Sequence, residues 1–181
     1  MMRSLLSAFA LLFAAPAAQA QDWAIDQEAS SVGFQTTVFG GPVTADFSRF
    51  SAEISLDPAD LSTASIQAEV DVSSLTLSSQ DYASYALGGD GLAPEDHPTA
   101  YFRSNDIRQD GEEYVATGEL EIRGATQPLE LRFSLEITEG RAVAEGSFLL
   151  SRADFGVGAS SWGDAAVEAT VELHIEADAA P

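Results

Sequence analysis

The chain has 181 residues, 45% of them apolar, which is enough for one domain with a core of its own. Its eight basic residues, all arginine, stand against 29 acidic ones for a formal net charge of −21, a surface that repels phosphate backbones and argues against nucleic acid as a partner. Cysteine is absent, which removes disulfides, thiolate nucleophiles, cysteine-based metal sites and lipoprotein acylation. Residues 1–20 read as a secretory signal: Arg3, an apolar run from Leu5 to Ala15, then Ala18-Gln19-Ala20 as a cleavage site. The run falls short of the roughly 20 apolar residues of a bilayer-spanning helix. The expectation is a domain of residues 21–181, exported to the periplasm or alternatively secreted, with no integral membrane segment after cleavage.

From there the dominant signal is apolar/polar alternation with period two, the mark of strands with one face in apolar surroundings. Candidate strands follow in order at Ser31–Phe39, Val43–Phe50, Ala52–Leu56, Ile66–Val72, Ala100–Asn105, Tyr114–Ile122, Leu129–Ile137, Arg141–Leu150 and Val167–Ile175. Short turn signals separate many of them, such as Gly40-Gly41-Pro42, Gln109-Asp110-Gly111 and Glu139-Gly140, so antiparallel hairpins are expected. Many long one-sided strands bury their common face by curling into a barrel, with a two-sheet sandwich as the alternative. Residues 76–98 break the pattern. Ser78 or Ser79 can cap a short helix carrying Tyr82, Tyr85 and Ala86 on one face, stopped by Gly88-Gly89. Such a helix is either a lid across a barrel mouth or a plug in one end.

Several stretches then come in a recognisable order: Trp23-Ala24-Ile25-Asp26, Pro98-Thr99-Ala100-Tyr101-Phe102-Arg103-Ser104, Gly118-Glu119-Leu120-Glu121-Ile122-Arg123-Gly124-Ala125-Thr126, and Arg152-Ala153-Asp154-Phe155-Gly156. Together they resemble the YceI-like family of bacterial periplasmic proteins, over nearly all of the chain after Gln21. The resemblance implies an all-β, lipocalin-like, eight-stranded antiparallel barrel. It also implies a bound polyisoprenoid, such as a prenyl diphosphate or polyprenyl quinone, or a similar long-chain amphiphile, held as a hydrophobic small-molecule ligand with no other cofactor.

An apolar tail is bound through buried area, at about 25 cal/mol per Å². The large rings Phe34, Phe39, Phe47, Phe50, Phe102, Phe133, Phe148, Phe155 and Trp162 are therefore candidates for a cavity lining, with plain core packing as the alternative for each. Tyr82 and Tyr85 are the lid candidates. Arg152 and Asp154, two apart on a strand, should face the same side, either as an ion pair closing the barrel end or with Arg152 contacting a ligand headgroup. Arg123 is a second headgroup candidate. Neither His97 nor His174 sits in a metal-ligand or nucleophile motif, so no catalytic or metal residue is assigned. Should the barrel be solid, the alternative is a protein-interaction module, partnering for example a membrane redox protein. An imperfect barrel seam leaves a homodimer open.

Overall fold

The computed structural model describes residues 21–77, 79–163 and 166–181; the expected signal segment and Ser78 lie outside them. Among the described residues eleven strands form one antiparallel sheet: β1 (Asp22–Ile25), β2 (Ser31–Val38), β3 (Gly41–Phe47), β4 (Phe50–Asp57), β5 (Asp60–Asp71), β6 (Leu75–Leu77), β7 (Thr99–Asp110), β8 (Glu113–Ile122), β9 (Ala125–Thr138), β10 (Arg141–Ser151) and β11 (Glu168–Ala179). β1 and β2 both pair with β11, β3 and β4 pair with β2 and β1, and β5 and β6 pair with β4 and β3. These are three bent strands. With β7 to β11 they make a closed eight-stranded barrel, sealed where Trp23 of β1 faces Ala179 of β11 on one side and Ile54 of β4 on the other.

The bends are where the sequence reading and the structure part. Val43–Phe50 was expected as one strand, but β3 stops at Phe47 and β4 starts at Phe50. Ser74, only 3% exposed, holds this bend against the one that follows β5. Its Oγ donates to Asp71 O (2.6 Å) and accepts from Arg49 N (3.1 Å), while its carbonyl accepts from Ser48 N (3.3 Å). At the β7–β8 pair the register shifts between Ser104 and Asp106, and Gly118 lies so close that a Cβ there would sit 2.2 Å from Arg103 O. Only glycine fits that approach.

One barrel end is packed solid. Trp23, Leu56, Ile107, Tyr114 and Phe133 belong to one buried cluster, the Trp23 indole N–H donates to Leu56 O at 2.9 Å, and the Tyr114 and Phe133 rings stack at 5.7 Å. The other end is bordered by loops and by α1 (Gln80–Leu87), which starts where Ser79 Oγ accepts from Tyr82 N and stops at Gly88. The helix lies against β6, which pairs with β3 on one side and with no described strand on the other. Its buried contact is Ala86, packed with Ala45 of β3 and Leu75 of β6. Tyr85 is 66% exposed, whereas Tyr82, one turn before Ala86, is half-buried, so Tyr82 and not Tyr85 shares the face that Ala86 turns to the barrel.

Candidate functional site

Between the packed end and the α1 end lies an apolar cavity of about 240 Å³. Alternation builds its wall: Phe50, Ala52, Ile54 and Leu56 of β4 point inward, as do Ile66, Ala68 and Val70 of β5, Leu129, Leu131, Phe133 and Leu135 of β9, and Val171, Leu173, Ile175 and Ala177 of β11. Room exists because Ala52, Ala68, Ala100, Ala142 and Ala144 occupy inward positions where a longer side chain would fill the barrel. Ser51 and Glu69 also border the cavity; with Tyr101 they form one cross-strand row over β4, β5 and β7. All its other lining side chains are hydrocarbon or aromatic, so it offers burial and almost no hydrogen bonding. Its size lies just below the roughly 300–1,000 Å³ of sites for drug-sized ligands.

Five of the nine candidate rings line this cavity: Phe47, Phe50, Phe102, Phe133 and Phe148. Four do not. Phe34 meets Phe47 at 6.2 Å between ring centroids and, with Trp162, packs on the cluster under α1. Phe155 is buried in a short 3-10 helix, Arg152–Phe155, beyond the end of β10. Phe39 is 78% exposed at the β2–β3 turn, with a positive φ of 50°. Tyr82 and Tyr85 do not line the cavity either; Leu92, in the loop after α1, does. The aliphatic majority and the alanines were missed by a search for rings, although the same alternation carries them.

Both headgroup candidates serve the protein's own loops. Arg123, at the β8–β9 turn, donates from Nη1 to Gly156 O and from Nη2 to Gly89 O, each at 2.7 Å. Arg152 donates from Nε to Ala166 O (2.9 Å) and from Nη1 to Val157 O (2.8 Å) and Gly158 O (3.1 Å), with its guanidinium 5.4 Å from the Trp162 ring centroid. The strand ends at Ser151, so the two-apart argument that put Arg152 and Asp154 on one side does not apply: in the 3-10 turn that follows, residues two apart point about 120° away from one another.

His97 sits in the loop before β7, its ring against Gly124. His174 lies on the outer face of β11, with Nδ1 3.2 Å from Glu145 and Nε2 3.1 Å from Glu176. Glu176 in turn accepts from Arg141, which also reaches Asp26 and Asp178. The Glu176 hydrogen bond, then Glu145, raises the His174 pKa above its ordinary 6.5, while Arg141 lowers those of Glu176 and Asp26. A raised histidine pKa contributes stability that is complete below about 6.5 and is lost as the pH rises through the folded value. The lowered carboxylates act oppositely, contributing above about 4.5 and losing it in acid. His174→Gln is therefore expected to lower Tm at pH 6 and to leave it nearly unchanged at pH 9, in thermal melts of both proteins across that range. An equal difference at the two pH values would refute a role for the imidazolium.

The sequence of residues 23–179 matches the YceI-like domain. The chain belongs to the YceI-like family. It is 28% identical to the UPF0312 protein of Pseudomonas aeruginosa over 189 residues, covering 97% of this chain and 98% of that one. A UPF0312 protein of Vibrio cholerae is 29% identical over 174 residues, 88% of each chain. Among solved structures, Burkholderia cenocepacia BcnA superposes with a TM-score of 0.80 at 27% identity, covering 84% of this chain and 98% of that one. A polyisoprenoid binding domain from Saccharophagus degradans, implicated in plant cell wall breakdown, superposes at 0.70 with 14% identity, covering 90% and 100%. At that identity the second likeness shows the YceI-like barrel fold alone.

Proposed function

We propose that this YceI-like protein is a non-catalytic carrier or store for a polyisoprenoid, such as a prenyl diphosphate or polyprenyl quinone, or a similar long-chain amphiphile. The reading includes export through a cleaved signal and work in the periplasm. The observation that carries it is the apolar lumen of about 240 Å³, built from inward alanines inside a closed barrel. Such a lumen rewards hydrocarbon at about 25 cal/mol per Å² buried and offers a polar ligand nothing in exchange for its lost water. The polyisoprenoid binding domain of the same fold supports the ligand class. The headgroup would stay at the α1 end, since among the described residues the charged side chain that borders the lumen, Glu69, is itself an acid and offers a phosphate no counter-charge.

Native mass spectrometry of the exported, tag-free protein, followed by organic extraction, tests this. The expected result is one isoprenoid or acyl chain per protein. An apo mass that stays unchanged after incubation with ubiquinone and prenyl diphosphates would overturn the proposal and favour a protein-binding module.

A further inference from the structure

The lumen's two ends are bounded in different ways. At the packed end, β1 is hydrogen-bonded between β4 and β11, and opening it means breaking strand ladders. At the α1 end the lumen reaches Leu92; the segment that carries it, residues 88–93, hangs from the end of α1, where Leu92 N donates to Ala86 O (2.7 Å), and is otherwise attached through loop contacts. Asp90 takes most of them. Its carboxylate accepts from Ser161 N (2.7 Å), Ser161 Oγ (2.5 Å) and Ser160 N (3.2 Å), and its carbonyl accepts from Gly158 N (2.5 Å). Arg123 spans the same gap from the β8–β9 turn, tying Gly89 O to Gly156 O. Three loops distant in sequence are thus joined over one end of the lumen by one carboxylate and one guanidinium.

We propose that residues 88–93 form the gate through which an apolar ligand enters and leaves the barrel, and that Asp90 is its latch, holding the gate to residues 158–161. The inference rests on the binding reading above. Two further features fit a closure made to open. Arg123 Nε and Trp162 Nε1 are both buried without an acceptor, so this end is less completely satisfied than a finished core. Residues 88–93 include Gly88, Gly89 and Gly91, and Leu92 is the large side chain among them that has to leave the lumen's end. The serine hydrogen bonds hold the Asp90 pKa down to about 2, so the latch stays charged at neutral and mildly acidic pH, and opening is a thermal event and not a response to protons.

The test is kinetic. Protein loaded with cis-parinaric acid is mixed in a stopped-flow instrument with excess phosphatidylcholine vesicles, and loss of bound-probe fluorescence gives the release rate; uptake is followed in the reverse direction. Asp90→Ala is expected to speed both directions on the order of tenfold while leaving the equilibrium affinity nearly unchanged, because a gate alters the barrier and not the end states. Asp90→Asn should fall between. Glu136→Ala, an exposed change on β9 toward the packed end, should match the wild type. Should Asp90→Ala fail to fold by circular dichroism, Ser161→Ala removes one latch bond and should accelerate exchange in the same direction by less. Uptake and release at wild-type rates in the folded Asp90 or Ser161 variants would overturn the gate and leave the binding reading standing. Failure of the wild type to take up the probe at all would overturn both.

Discussion

Replacing Ala68 and Ala144 together by phenylalanine is expected to abolish ligand uptake and leave the barrel folded. Both residues line the lumen, from β5 and β10, and both are only half-buried, so the new rings grow into space and not into neighbours. Overpacking a filled core costs about 1–3 kcal/mol per site; rings placed in an existing cavity should cost less and can recover part of it through new contacts. Two rings occupy much of a lumen of about 240 Å³, and the apolar area available to a ligand falls with it. The affinity for a fluorescent farnesyl derivative should drop on the order of a hundredfold or more, roughly 2.7 kcal/mol, in a titration paired with a thermal melt. Undiminished affinity in a folded double variant would place the ligand outside the barrel.

Trp23→Ala is the change expected to cost most in stability. The indole is buried in the packed end beside Leu56, Ile107 and Phe133, and its N–H satisfies Leu56 O. Its backbone sits at the closing position of the barrel, opposite Ile54 and Ala179. Truncating a buried tryptophan costs about 3–5 kcal/mol, and the orphaned carbonyl adds to it. Trp23→Phe keeps most of the packing and should cost far less, with loss of the hydrogen bond contributing about 1 kcal/mol. Urea unfolding of the three proteins measures both. A loss under about 1 kcal/mol for the alanine variant would mean that this end is not sealed by Trp23.

How far the sequence reaches can be judged at the bends. Along the first half of the chain the inward residues change phase: Val43, Ala45 and Phe47 are odd, whereas Phe50, Ala52, Ile54 and Leu56 are even. The same shift separates Ala68 and Val70 from Leu75 and Leu77, and Trp23 and Ile25 from Val32 and Phe34. Since an offset of one residue turns a strand over, each phase change marks a bend. Reading Val43–Phe50 as one strand overlooked it. The straight strands β8 to β11 show no such change in their inward series and were legible with few errors beyond their ends.

The lumen was harder to read. Alternation says which residues face inward and nothing about whether they meet across the middle; that depends on small side chains, Ala68, Ala100, Ala142 and Ala144, falling at inward positions. The loops were harder still. Asp90 and Ser161 lie 71 residues apart in two loops with no period of their own, and Arg152 was read as strand because its neighbours Phe148, Leu149 and Leu150 are. Gly156, with φ of 67°, caps the helical turn that intervenes.

The barrel closes by joining the first described strand to the last, Trp23–Ile25 against Ala177–Ala179. No shorter piece of the polypeptide can complete that ladder. Until the twelve residues of β11 are available, β10, β1 and β2 all have exposed edges, the kind of surface that pairs with other chains. Folding is therefore expected to be a late, whole-chain event, slowed by contacts between residues at opposite ends of the sequence. A ribosome-stalled chain lacking β11 should remain sensitive to protease along its full length, and loss of the last strand should be punished by aggregation before it is punished by loss of binding.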